Sequence, residues 1–191
     1  NSIIFAFVSF AFSMIGAFFP ESEFTIVIGN PLVVSSVTYE HVVGHVFWGA
    51  VIGLGTLSIR YIILGGSFAI FLDSDHLLQF LDIELVSRMS HSIPFAVIAS
   101  IVFFIILRGK DIRICAVAFA AVLSHIAFDV FLADVTFSSS TNFPLFSPFT
   151  FETVSLHGLD WLGIQIIGVA LVAITSYFYR RKEIKLKNNL T

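Results

Sequence analysis

The chain has 191 residues, 57% of them hydrophobic and only 12% charged, with a mean hydropathy of +0.96. Soluble domains carry about 25% charged residues, so this composition excludes an ordinary soluble domain and points to an integral membrane protein. The formal net charge of −3 gives no ground for expecting nucleic acid as a partner, and the lone Cys115 excludes both an intrachain disulfide and a cysteine-rich zinc site. The expected fold class is all-α: one polytopic membrane helix bundle over residues 1–191, with about six apolar helices and a polar metal-site cluster at the extracytoplasmic end.

Ile3–Phe19 is an uninterrupted apolar run that predicts a first span, closed by Pro20. It lacks the basic start and the clear cleavage site of a signal peptide. Residues 24–40 are mixed, with Asn30-Pro31 as a turn signal, and predict an extracytoplasmic loop or a short re-entrant piece. His41–Ser58 predicts a second span whose Gly44, Gly49, Gly53 and Gly55 allow close helix packing. Tyr61–Leu72 is a third apolar run, short for a full span. Asp73–Ser92 is polar, with an amphipathic piece at Leu77–Val86 suited to a membrane surface. Ile93–Leu107, with Pro94 in its first turn, predicts a fourth span. Ile112–Leu132 predicts a fifth, residues 133–157 a loop, and Leu159–Tyr179 a sixth span stopped by Arg180-Arg181-Lys182. The basic tail from Arg180 to Thr191 is expected to fray at its end.

If six spans alternate, nine of the ten Lys and Arg residues fall on one side and only Arg88 on the other. The basic side is then cytoplasmic, with both termini inside. All six histidines fall at or near the outer end.

Within the fifth run, His125 and Asp129 stand four residues apart and share one helix face. A carboxylate there needs a partner, a metal or water. His45, Asp73, Asp75 and His91 are the residues that can answer it, giving a candidate metal set of His45, Asp73, Asp75, His91, His125 and Asp129. Imidazole and carboxylate together suit zinc, with manganese or iron as alternatives. The competing reading is that these groups are interfacial, solvated or paired with one another. His41 reads as a helix end. His76 reads as a ligand or as a donor orienting Asp75. His157 and Asp160 read equally as interfacial or functional. Arg88 suits an anionic group such as a phosphate, or a salt bridge to Asp82 or Glu84. Trp48 and Trp161 read as interface or packing residues. The Ser-His pairs at 90–91 and 124–125 are discounted as nucleophile pairs, because adjacent helical residues do not face each other.

Five motifs occur in order: His45-x-x-x-Gly49, Asp73-Ser-Asp75-His76, Arg88-Met-Ser-His91-Ser92, Ser124-His125-x-x-x-Asp129, and Pro144-Leu-Phe-Ser-Pro148-Phe149. Together they resemble the YdjM-like, inner-membrane-associated metal-dependent hydrolases over about residues 41–150. One departure stands out: Ser87 occupies the place where that family has a histidine, and Ser90 replaces a threonine. A looser similarity runs to the zinc-dependent phospholipase C and single-strand nuclease superfamily. The resemblance implies a hydrolase of the prokaryotic cytoplasmic membrane acting on an ester or phosphoester, with a phospholipid or lipid-linked phosphate at the outer face as substrate. In that reading Asp73 or Asp75 is the general base that activates water, and Arg88 holds the anionic substrate. The rival classes are a non-catalytic scaffold with a structural metal and a transporter.

Overall fold

The computed structural model describes residues 1–18, 25–26, 38–81, 85–86, 88–137 and 141–189. The expectations for residues 27–37, Asp82, Glu84 and Ser87 lie outside them. The described chain is mostly helical, as expected. The elements in order are α1 (Ser2–Ile15), β1 (Thr25–Ile26), α2 (Tyr39–Leu54), α3 (Ile59–Phe71), a 310 segment (Leu72–Leu81), β2 (Leu85–Val86), α4 (Ile93–Ile106), α5 (Ile112–Phe137), β3 (Thr141–Phe143), β4 (Val154–Leu156) and α6 (Asp160–Asn188).

Local chemistry sets several boundaries. Thr38 accepts the His41 backbone N–H at the start of α2, and Ser92 accepts that of Phe95 at the start of α4, where Pro94 costs no hydrogen bond. The α4–α5 connection turns through Arg108 and Gly109, both at positive φ.

Two helices, within α5 and α6, are long and apolar enough to cross a membrane. The other four have 13 to 16 residues. At 1.5 Å per residue these reach about 20–24 Å, short of the roughly 30 Å hydrocarbon core. The expectation of about six spans is therefore corrected for α1, α2 and α4, while α3 is short as its apolar run implies. The apolar stretch of α5 is also largely buried within the protein, so its all-round apolarity is that of a helix wrapped by others.

Three boundaries differ from expectation. Helix α5 continues past Leu132 to Phe137. Helix α6 continues past Tyr179 to Asn188, because Arg, Lys, Glu and Leu are good helix formers and cations favour a helix C-terminus. The stretch expected as a loop holds a two-stranded antiparallel ribbon, with Phe143 opposite Val154. A shorter bridge pairs Thr25 with Val86 and Ile26 with Leu85.

Packing places the site. Phe5, Phe68, Phe95 and Phe103 form a continuous aromatic stack joining α1, α3 and α4; Phe5 and Phe68 lie 4.6 Å apart. Three serine hydroxyls then staple α1 to the polar segment, two from the helix and one from the segment. Ser9 Oγ donates to the Leu72 carbonyl at 2.8 Å, Ser13 Oγ to Ser90 Oγ at 3.0 Å, and Ser74 Oγ to the Ala6 carbonyl at 3.1 Å. Helices α2 and α3 meet through glycine: a Cβ on Gly49 would lie 2.3 Å from the Gly65 carbonyl oxygen.

At the opposite end of α5 the basic residues gather. Arg113 pairs with Asp111 at 2.9 Å and lies over the Tyr179 ring at 4.0 Å. Tyr61 donates to Asp111, and Arg180 donates to the Thr56 carbonyl. The Asp111 carboxyl is pushed up by burial, but hydrogen bonds from Arg113 and Tyr61 outweigh this and hold it below the usual range.

Candidate metal centre

Four segments deliver polar side chains to one point about 20 Å along α5 from its basic end. Helix α2 supplies His41 and His45 from one face, four residues apart. The kink after α3 supplies Asp73, whose φ of −82° and ψ of 24° fall in the sparsely populated bridge region. The bend before α4 supplies His91. Helix α5 supplies His125 and Asp129. His45 and His125 are fully buried and His91 nearly so.

The contacts all use the same ring nitrogen. His91 Nε2 and His125 Nε2 each lie 3.2 Å from Asp73 Oδ1. They lie 3.0 Å from each other. His45 Nε2 is 3.2 Å from Asp129 Oδ1, and His125 Nε2 is 3.5 Å from Asp129 Oδ2. His41 Nε2 is 2.9 Å from His45 Nε2 and 3.4 Å from Asp73 Oδ2. His76 Nε2 is 3.7 Å from Asp73 Oδ1. Five imidazole Nε2 atoms thus converge on two carboxylates.

Ligands about 2.1 Å from one ion stand about 3.0–3.4 Å apart in octahedral or tetrahedral geometry. The observed separations fall in or near that range. The donor chemistry agrees. His125 Nδ1 lies 2.8 Å from the Ala69 carbonyl, which can only accept, so Nδ1 carries a proton and Nε2 is the atom turned to the cluster, a donor in the charged ring and a lone pair for a cation in the neutral one. Crowding such nitrogens together is unfavourable unless a proton or a cation lies between them. Nitrogen and carboxylate oxygen are borderline-to-hard donors suited to zinc, manganese or iron.

The acidic members differ in environment. Burial would raise the Asp73 carboxyl, but the charge on His125 and hydrogen bonds from His125, His41 and His91 hold it well below the usual range. Asp75 is buried, and its oxygens make no ordinary hydrogen bond among the described residues. Burial, opposed by His76 and helped by Asp73, pushes it up to about 6. Burial, offset in part by Asp73, lowers His91 to about 4.

The structure brings together His45, Asp73, His91, His125 and Asp129 of the expected set. Asp75 stands to one side, grouped with Asp73 and His76. In a tight turn, side chains two apart diverge, so the pair splits between the cluster and its flank. His41, expected as a helix end, joins the cluster. His157 does not: it is 74% exposed and 3.9 Å from Asp160. Asp160, the first residue of α6, accepts the His157 backbone N–H at 2.9 Å and so ties the helix start to the turn before it. Arg88 is exposed, with its guanidinium over the Phe143 ring and 3.5 Å from the Asn142 carbonyl. Phe143 in turn lies stacked toward His91, so Arg88 sits one aromatic ring from the centre. Trp48 and Trp161 pack against each other and against Phe131.

Sequence reasoning missed the supports. Ser90 does reach its neighbour: its Oγ lies 3.3 Å from His91 Nδ1, because residues 88–92 form a 310 turn and bend rather than an α-helix. Ser9 and Ser13, four apart in the apolar run of α1, share a face, and that spacing was the available signal. The Ala69 carbonyl left none, since every residue carries one.

No family model, curated protein or solved structure matches the chain.

Proposed function

We propose that the protein is a membrane-embedded, metal-dependent hydrolase of a phosphoester or ester in a lipid or lipid-linked substrate. The observation that carries this reading is the convergence of five histidine Nε2 atoms with Asp73 and Asp129 in a buried cluster. The five ordered motifs, with their resemblance to the YdjM-like hydrolases, agree with it. His41, His45, Asp73, His91, His125 and Asp129 would hold divalent metal, zinc first, with manganese or iron as alternatives. Such an ion lowers the pKa of water and polarises a phosphoryl or carbonyl oxygen.

The remaining work falls to the chain. Asp73 is gripped by histidines and acts as a ligand. Asp75 beside it, whose oxygens make no ordinary hydrogen bond among the described residues, is the better proton acceptor. Arg88, with its guanidinium over the Phe143 ring, presents charge to an anionic group without burying it. The cluster is least covered at His76, His41, Asp129 and Asp73, whose side chains keep 10–21% exposure, and this is the side a substrate enters.

The membrane reading rests on the outward faces. Phe7, Phe47, Ile63, Ile105, Ile167 and Phe178 are each more than half exposed. Large apolar side chains exposed on every helix suit lipid. In this reading α5 and α6 cross the bilayer and the shorter helices are embedded beside them. The basic end, holding Arg108, Lys110, Arg113 and Arg180, is cytoplasmic, and the cluster lies in the outer part.

The test is elemental analysis of detergent-purified protein, followed by hydrolysis of a panel of phospholipids and phosphodiesters. Stoichiometric transition metal and turnover abolished by Asp75→Asn are expected. Metal-free protein refutes the reading. One observation favours a second reading: the cluster ties four chain segments together, as a structural metal would. Full metal without turnover of any substrate in the panel selects that scaffold.

A further inference from the structure

We infer that the cluster is a two-metal centre, with His91 and His125 on one ion, His41 and His45 on the other, and Asp73 and Asp129 bridging them. The inference rests on the metal reading above and adds the number and assignment of ions.

The rings sort themselves into two pairs. His91 and His125 cross at 72° with their Nε2 atoms 3.0 Å apart. His41 and His45 cross at 67° with theirs 2.9 Å apart. Each crossing lets two in-plane lone pairs meet at one point. Between the pairs the relation is different. His45 and His125 are stacked, 9° from parallel, with centroids 3.7 Å apart. An imidazole binds metal along its lone pair, in the plane of the ring. Two parallel, displaced planes share no such point, so one ion cannot serve both rings. Two ions in these planes would stand at about the spacing of the rings, which is that of two-metal hydrolytic sites, about 3.5–4 Å.

The carboxylates divide in the same way. Asp73 turns Oδ1 to His91 and His125, at 3.2 Å each, and Oδ2 to His41 and His45, at 3.4 and 3.8 Å. Asp129 turns Oδ2 to His125 and His91, at 3.5 and 4.0 Å, and Oδ1 to His45 at 3.2 Å. Each carboxylate therefore offers one oxygen to each pair. Two divalent ions on two carboxylates and neutral histidines leave a net charge of +2, which favours an anionic phosphoester over a neutral ester.

The two positions are unequal. His125 is held by the Ala69 carbonyl and His91 by Ser90. The Nδ1 atoms of His41 and His45 have no hydrogen-bond partner among the described residues. Loss of such outer support weakens metal affinity about 10–100-fold. The His91–His125 position fills first.

Titration of metal-depleted full-length protein in detergent with Mn(II), followed by electron paramagnetic resonance and equilibrium dialysis, tests this. The expected result is two equivalents per chain, the second about 10–100-fold weaker, with conversion of the isolated-ion signal to a spin-coupled one as it binds. His41→Ala should stop at one equivalent and keep the isolated-ion signal, while the exposed His157→Ala still takes two. Saturation at one equivalent in the unmodified protein overturns the two-metal centre and leaves the hydrolase reading standing. Two equivalents without spin coupling, or retained by His41→Ala, overturn the assignment. No binding at all refutes both.

Discussion

Adding one methyl group at Gly49 should damage a metal centre that Gly49 never touches. An ideal Cβ there lies 2.3 Å from the Gly65 carbonyl oxygen and 2.6 Å from Ala69 Cβ. An ordinary contact begins at 3.4 Å, so α2 and α3 must part by about 1 Å. Helix α2 carries His41 and His45. Helix α3 leads into Asp73, and its Ala69 carbonyl orients His125. A metal site tolerates about 0.2 Å in ligand distance, so a shift of this size separates the two halves of the cluster. The overpacking itself costs about 1–3 kcal/mol. For a chain of this length that is a fall of roughly 2–12 °C in Tm. Thermal unfolding and elemental analysis of Gly49→Ala in detergent measure both effects. Gly163→Ala is the matched control, because nothing lies within 4 Å of its Cβ position. Full metal content and an unchanged Tm in Gly49→Ala, equal to those of Gly163→Ala, would refute the coupling of helix contact to site geometry.

Removal of metal by a chelator should lower stability by up to about 4 kcal/mol where the ion is present at 1,000 times its Kd, and Tm falls with it; Asp129→Ala should make Tm indifferent to chelator, and equal responses of the two proteins would count against Asp129 as a ligand. Asp111→Asn tests the basic end through pH. Because the folded Asp111 carboxyl titrates below its unfolded value of about 3.9, its contribution is present above that pH and is lost as pH falls through the lower folded value. Asp111→Asn should therefore be less stable at neutral pH and lose less on acidification, and parallel stability–pH curves would refute this. Asp160→Ala should cost about 1 kcal/mol through the lost hydrogen bond to the His157 N–H, with metal content untouched; loss of metal would return Asp160 to the site.

The His125-x-x-x-Asp129 pair was legible because helix periodicity alone puts residues four apart on one face. The same spacing separates His41 from His45, although His41 reads from the sequence as a helix end. It could not say that His41 turns inward, since that depends on Phe128 and Asp73, which pack against it from distant parts of the chain. Asp73 and Asp75 illustrate the opposite case. The sequence offered both equally, and the kink at Asp73 sends one to the histidines and the other to the flank beside His76.

Composition and local pattern determined that the chain is helical, where most helices lie, and which polar residues were out of place in apolar runs. These are consequences of near-neighbour chemistry, and 191 residues state them directly. Helix length against the bilayer, the wrapping of α5, the serine staples from α1 and the sorting of four histidines into two crossed pairs were decided by tertiary structure. They depend on contacts between residues far apart in the chain, such as Ser13 and Ser90, 77 positions apart, whose meeting no local period encodes.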